Sequence, residues 1–232
     1  MSNNTEQEKI ANWFNSMYSK RGEMYLRPVN AYYIFLELLK VKKGNKILDV
    51  ASGLGRLLEA ADAYDLELHG FDISDIAVEK SKKKLPQATI QVANAEKIPY
   101  EKESFDYVTC LGSLERMINL SAVLNEIHRV TKEDARICFL VRNNFGFTWG
   151  IKKALGIVNE KGHQGAKSLQ DWSNIFKENG YVVVDVHADQ YPIKKRQKFL
   201  SLGLKKLDYR KLSKPLIPMK YVHEYIFILK KA

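Results

Sequence analysis

The sequence has 232 residues, 45% of them hydrophobic, which suits one α/β domain with additions better than two full domains. Its opening is polar and lacks the apolar core of a secretory signal, and no apolar run approaches the roughly 18–20 residues that span a bilayer. The formal net charge is +10, and residues 188–232 carry +9 of it, with twelve Lys and Arg against three Asp and Glu. Such a basic segment could attract anionic lipid, nucleic acid or an acidic substrate.

Short β-rich runs alternate with amphipathic helical runs from residue 46 onward, which is typical of βαβ units and a parallel sheet. Two further helices are predicted within an N-terminal cap, residues 1–43. The last predicted strand is expected to be antiparallel to its neighbour. In chain order the predicted strands are 46–51, 67–72, 88–93, 105–112, 135–141, 182–186 and 222–230, and the helices between them are 57–64, 74–85, 120–130 and 168–181.

The chain is expected to form a single domain over residues 1–232, with two insertions, 143–167 and 188–221, on the side where a second substrate would bind. Its two cysteines, Cys110 and Cys138, lie within apolar runs, so we expect buried reduced thiols and no metal site. Together with the missing signal and span, this cysteine usage favours a cytoplasmic location.

The first strand runs into a glycine turn, ILDVASGLGR, at residues 47–56. A dinucleotide-binding turn needs a third glycine where Arg56 stands, and a triphosphate-binding loop needs a G-K-[ST] sequence that does not follow here. The glycines still allow a ligand to approach the backbone closely. The turn therefore favours an adenosine ligand that carries no phosphate.

The stretch Leu48–Gly55 resembles motif I of the class I S-adenosylmethionine-dependent methyltransferases, L-D-x-G-x-G-x-G, with Ala51 in place of the first glycine. An acid at the end of the second strand, the run NAEKIP (94–99) and the run FDYV (105–108) follow at the spacing of that family. The resemblance covers about residues 40–145. It implies a Rossmann-like, doubly wound, seven-stranded sheet with an N-terminal helical lid, S-adenosylmethionine as methyl donor and S-adenosylhomocysteine as product.

The resemblance also implies which residues hold each part of the cofactor. Asp72 stands 19 positions after Gly53, near the spacing of an acid that binds ribose hydroxyls, and Asn94 would meet the adenine. Asp49 would orient the turn or approach the cofactor's cation, and Arg27 would pair with the methionine carboxylate unless it is a surface arginine. The complete predicted set is Tyr25, Arg27, Asp49, Ala51, Ser52, Gly53, Gly55, Asp72, Ile73, Asn94, Ala95, Glu96 and Leu111.

The acceptor is expected where the fourth strand ends. Nucleic-acid amine methyltransferases of this family carry N/D-P-P-Y/F there, but residues 111–114 have neither the proline nor an aromatic ring to stack on a base. The region instead resembles the small-molecule, methyltransferase type 11-like branch, in which Arg116 replaces a frequent histidine. Ser113, Arg116 and Asn143 are the predicted substrate residues. His163 is the predicted general base, with a solvated loop histidine as the alternative.

Residues 194–220 interleave leucines with lysines. This pattern is consistent with an interfacial helix on anionic lipid, with attraction of RNA, or with a solvated lid that packs its leucines on the body. We expect methyl transfer to an oxygen or nitrogen of a small, lipid-linked or glycan-linked acceptor, with peripheral membrane contact through this segment as one hypothesis. The alternatives are an RNA methyltransferase that uses the basic segment, disfavoured by the absence of a recognisable RNA module, and a non-catalytic cofactor-binding protein. The sequence predicts no oligomeric state.

Overall fold

One sheet organises the computed structural model, which describes residues 5–22, 26–146, 165–191, 210–212 and 217–232. Its strands, among the described residues, are β1 (Lys46–Val50), β2 (Glu67–Asp72), β3 (Thr89–Val92), β4 (Phe105–Leu111), β5 (Thr131–Arg142), β6 (Tyr181–Ala188) and β7 (Glu224–Lys231). They lie in the order β3-β2-β1-β4-β5-β7-β6. Strand β7 is antiparallel to both β5 and β6, and the other pairs are parallel. The predicted mostly parallel, seven-stranded sheet with an antiparallel last strand is confirmed.

Helices connect the strands as the sequence periodicity predicts. They are α1 (Glu6–Arg21), α2 (Tyr33–Leu39), α3 (Arg56–Asp62), α4 (Asp75–Lys84), α5 (Leu120–Val130) and α6 (Leu169–Glu178), with 3-10 turns at Val29–Ala31, Leu114–Arg116 and Met219–Tyr221. Strand β5 begins four residues earlier than predicted. Thr131 already pairs with Phe105, and an irregularity in the register then accommodates the charged residues that follow.

The sheet is covered on both faces, because alternate side chains of each strand point to opposite sides. Leu48 packs in a cluster with residues of α5 and α6, whereas Ile47 packs in a second cluster with residues of α2, α3 and α4. The two cysteines follow the same division: Cys110 belongs to the first cluster and Cys138 to the second. Both are free and buried, as predicted.

Helix α1 forms the helical lid at the edge where the parallel strands end. Its Asn15 receives a hydrogen bond from Ser74, and its Tyr18 carbonyl receives one from Lys80, both at helix α4. Most of residues 143–167 and 188–221 lie outside the described ranges. Within those ranges, no helix combines the length and the apolar composition needed to span a lipid bilayer.

Candidate cofactor and acceptor site

The glycine turn between β1 and α3 has a backbone that few residue types adopt. Ala51, Gly53 and Gly55 all have positive φ angles, of 57°, 51° and 71°. At Gly53 a Cβ atom would lie 2.6 Å from the hydroxyl oxygen of Tyr18, so the turn requires glycine there both for its conformation and for the approach of α1. Ala51 adopts the left-handed conformation despite its methyl group, at a cost of about 1–2 kcal/mol.

Asp72 fixes this turn from the end of β2. Its Oδ2 accepts a hydrogen bond from the Gly53 amide at 2.8 Å, and its Oδ1 accepts one from the Ser74 amide at 2.9 Å. The side chain is buried, and burial raises the pKa of Asp72 to about 6. Each carboxylate oxygen has two acceptor positions, so Asp72 can also accept hydrogen bonds from ribose hydroxyls.

A first cavity lies beside Asp72, between helix α1 and the ends of β2 and β3. Its wall includes the predicted cofactor residues Ala51, Asp72, Ile73, Asn94, Ala95 and Glu96, together with apolar side chains of α1. Asn94 Oδ1 accepts a hydrogen bond from the Glu96 amide at 3.0 Å, which leaves the Asn94 side-chain NH2 to donate to an adenine ring nitrogen. Glu96 in turn accepts from Gln7 of α1 at 2.9 Å and thereby ties the lid to the cavity.

A second, more polar cavity adjoins the first. The two share Phe14, Tyr18, Ala51, Ser113 and Arg116. The second cavity extends from β1 across β4 to β5 and β7, and its wall includes Asp49, Ser52, Gly53, Leu111, Leu140, Arg142 and Glu224. The Ser52 hydroxyl oxygen is buried and has no hydrogen-bond partner among the described residues, so it is available to a polar ligand group.

Asp49 is a buried carboxyl at the β1 end of the second cavity. Its Oδ1 accepts a hydrogen bond from the Thr109 hydroxyl at 2.6 Å. Burial, assisted by the charge of Asp72, raises the pKa of Asp49 to about 7, although the Thr109 hydrogen bond opposes the shift. A nearby cation would favour the ionised form.

We expect the affinity for S-adenosylmethionine to rise about tenfold from pH 6 to pH 8, because the cofactor's cationic groups favour ionised Asp49, whose pKa is about 7. The ligand-free protein should show the opposite trend. Its folded state retains a proton that the unfolded state loses near pH 4, so the free energy of unfolding falls as pH rises toward 7. Calorimetric titrations and thermal melts across this range test both trends. Asp49→Asn should flatten them, and identical pH profiles for the variant and wild type would contradict the assignment.

Arg27 has different partners from the predicted methionine carboxylate. It donates to both oxygens of Asp189, at 2.9 and 2.8 Å, and to Glu224 Oε2 at 2.6 Å. The Nε of Arg142 lies 3.6 Å from Glu224 and 3.2 Å from Glu115. We call these five residues the Arg27 cluster. Its arginines are paired with carboxylates of the protein itself, and Arg27 also lines the second cavity, so its contact with the methionine carboxylate stays a prediction.

Sequence reasoning missed the other members of the Arg27 cluster, although a signal was present. Arg142 ends the apolar strand β5 and Glu224 begins the apolar strand β7, where a charged residue needs a partner. The two face each other in the antiparallel register of these strands.

Two further predicted residues, Asn143 and Gly55, are placed differently from the expectation. Asn143 is buried, donates to the carbonyls of Lys220 and Val222 and accepts from the Phe145 amide, so it supports backbone rather than lining either cavity. The acceptor role predicted for Asn143 is therefore corrected. Gly55 starts α3 and packs against α4 outside both cavity walls. Tyr25 and His163 lie outside the described residues.

Ser113 and Arg116 are brought together at the boundary of the two cavities, and their role in binding the acceptor stays a prediction. Leu111 lines the second cavity beside them. Over the described part of the chain, no group of three or more His, Cys, Asp or Glu is placed to hold a metal ion.

The fold and this site define a class I S-adenosylmethionine-dependent methyltransferase domain. Residues 48–139 match the family model Methyltransf_11, described as "Methyltransferase domain". The chain is 32% identical over 152 residues to "Uncharacterized protein MJ1252" of Methanocaldococcus jannaschii, a match that covers 64% of this chain and 55% of that protein. It is 32% identical over 111 residues to "Ubiquinone/menaquinone biosynthesis C-methyltransferase UbiE" of Geotalea uraniireducens, covering 44% and 47% of the two chains.

The chain thus spans about half the length of these two relatives. Among solved structures, the YcgJ protein of Bacillus subtilis superposes with a TM-score of 0.61 at 17% identity, covering 87% of this chain and 98% of that chain. This likeness shows the shared fold.

Proposed function

We propose that this protein transfers a methyl group from S-adenosylmethionine to an oxygen or nitrogen of a small, lipid-linked or glycan-linked acceptor. The observation that carries the proposal is the carboxylate of Asp72, which holds the Gly53 amide and faces a cavity that continues into a second, more polar one. The name of the UbiE relatives adds a carbon acceptor as an alternative, because those proteins are described as C-methyltransferases.

The residues of both cavities fit the cofactor's chemical groups. In the first cavity, Asp72 would accept from the ribose hydroxyls and the Asn94 amide would donate to adenine. In the second, the unpartnered Ser52 hydroxyl and the ionised Asp49 would meet the polar methionine end. When bound, S-adenosylmethionine supplies an electrophilic methyl group on a sulfonium. The first cavity would thus hold the adenosine end of the cofactor and the second its methionine end, and neither contact requires a phosphate-binding element.

The protein contributes mainly placement and exclusion of water to such a transfer. Phe14 and Tyr18 of α1 line both cavities, and Tyr18 is only 6% exposed. Helix α1 therefore covers the place where donor and acceptor would meet. His163 remains the proposed proton acceptor on sequence grounds, and residues 194–220 remain a proposed contact with anionic lipid, with RNA as the alternative.

Transfer of a labelled methyl group tests the proposal. The protein is incubated with methyl-labelled S-adenosylmethionine and either an aqueous metabolite extract or a lipid extract, and we expect label to appear in a small-molecule or lipid product. Asp72→Asn serves as the defective variant, and Asp75→Asn as the matched control, because Asp75 is an exposed acid at the start of α4. Cofactor binding without label in any product would favour a non-catalytic binding protein, and label in RNA would favour the RNA alternative.

A further inference from the structure

We propose that the acceptor carries an anionic group, a carboxylate or a phosphate, and that Arg116 binds it. This inference rests on the proposed function and specifies the class of acceptor. It begins from the fact that four arginines line the second cavity within the described residues: Arg27, Arg56, Arg116 and Arg142.

Three of these arginines already have carboxylate partners. Arg27 is bound by Asp189 and Glu224, Arg142 lies 3.2 Å from Glu115, and Arg56 lies 3.1 Å from Glu59. Their charges are therefore compensated within the protein. A ligand anion therefore gains less electrostatic free energy from binding to these three arginines than from binding to a cation that lacks a carboxylate partner.

Arg116 differs from the other three in its ion pairing. Its Nη1 donates to the Gly112 carbonyl, and among the described residues no carboxylate oxygen lies within 4.0 Å of it, although the charge of the neighbouring Glu115 acts on it from a longer distance. Its Nε is buried and has no hydrogen-bond partner among the described residues. A buried guanidinium donor normally has an acceptor, and a guanidinium matches the two oxygens of a carboxylate or phosphate. Arg116 is thus a cation held in place with a donor still to be satisfied.

The position of Arg116 favours the acceptor over the cofactor as its partner. Arg116 belongs to the turn that follows β4, and the second cavity extends from there toward Leu140 of β5 and Glu224 of β7. The glycine turn, Asp72 and the free Ser52 hydroxyl all lie on the β1 and β2 side. Space on the β5 and β7 side is therefore left for the second substrate. Because an arginine stays protonated, Arg116 acts there by binding and not as a base.

Arg116→Gln is the test variant, and Arg136→Gln is its matched control. Arg136 likewise donates to a backbone carbonyl, that of Leu38, and has a buried Nε without a hydrogen-bond partner among the described residues, but it lies in the middle of β5, outside both cavities. We expect Arg116→Gln to lower kcat/KM for the labelled acceptor fraction about 10- to 100-fold while the Kd of S-adenosylhomocysteine is retained. Arg116→Lys should restore part of the activity, and Arg136→Gln should match wild type.

Two measurements address the charge directly. The methyl-labelled product should be retained on an anion-exchange resin at pH 7, and phosphatase treatment followed by a second passage distinguishes a phosphate monoester from a carboxylate. Inorganic phosphate and acetate are also titrated into the protein saturated with S-adenosylhomocysteine. We expect wild type to bind at least one of the two anions, and Arg116→Gln to bind it at least tenfold more weakly.

Failure of this inference is distinguishable from failure of the proposed function. A neutral or cationic product, or wild-type kcat/KM in Arg116→Gln, overturns the anionic acceptor while methyl transfer stands. If Arg116→Gln loses as much affinity for S-adenosylhomocysteine as it loses in kcat/KM, Arg116 binds the methionine carboxylate of the cofactor. That result also overturns the proposal that Arg116 binds the acceptor. Absence of transfer by wild type overturns the proposed function, and binding of neither anion then overturns the assignment of Arg116 as well. Thermal melts identify any variant that fails to fold, in which case Arg116→Met, which also removes the positive charge, replaces Arg116→Gln.

Discussion

Asp72→Asn is expected to weaken the binding of S-adenosylhomocysteine about 100-fold at pH 8, where Asp72, with a pKa of about 6, is ionised. The carboxylate already organises the turn through the Gly53 and Ser74 amides, so its remaining acceptor positions are held in place before the ligand arrives. Asparagine loses the charge and turns an NH2 group toward one of these amide donors. Isothermal titration calorimetry measures the loss.

A ligand variant separates the ribose contact from distortion of the turn. Removing a ribose hydroxyl from S-adenosylhomocysteine should weaken its binding to the wild-type protein. The same change should have little effect on binding to Asp72→Asn, because that variant already lacks the carboxylate that contacts the hydroxyl. Asp75→Asn should bind both ligands as wild type does. Equal sensitivity of the wild type and Asp72→Asn to loss of the hydroxyl would remove the ribose assignment.

Arg27→Gln is expected to lower the free energy of unfolding by about 3–5 kcal/mol, because it leaves two buried carboxylates without their main cation. The side chain of Asp189 is 2% exposed and that of Glu224 is 10% exposed, so water cannot readily replace the guanidinium. Urea denaturation measures the change. Adding Asp189→Asn to the variant should recover part of the lost stability, since it removes one of the unpaired charges.

Lys43→Gln provides the contrast for this prediction. Lys43 and Asp65 form an ion pair 3.0 Å apart, but their side chains are 80% and 67% exposed. Breaking it should change the free energy of unfolding by less than about 1 kcal/mol. If Arg27→Gln also lowers the free energy of unfolding by less than about 1 kcal/mol, the prediction that the Arg27 cluster behaves as a buried ion-pair network is wrong.

The sequence predicted most of the fold because hydrophobic periodicity is a local signal. Helix α5 was predicted at its observed bounds, 120–130, from apolar residues at helical spacing. The start of β5 was missed because Thr131 enters the sheet through its pairing with Phe105, and that contact is not visible in the local charge pattern.

The same distinction applies to the candidate site. Ala51, Asp72 and Asn94 lie at or just after the ends of successive strands, so a parallel sheet brings them to one edge and chain order alone places them together. Arg27 could not be placed in this way, because its partners are 162 and 197 residues away in the sequence. They meet only because β7 lies between β5 and β6.

That position of β7 has a consequence for the order in which the molecule can assemble. Within the described sheet, β6 pairs with β7 alone, yet β6 precedes β7 in the chain. During synthesis β6 therefore emerges before its hydrogen-bonding neighbour exists. The edge of β5 that will pair with β7 also remains unpaired during this time. The antiparallel ladders on both sides of β7, and with them the Arg27 cluster, can close only when residues 224–231 have left the ribosome. A nascent chain arrested before that point carries two unpaired strands and is a natural target for chaperones.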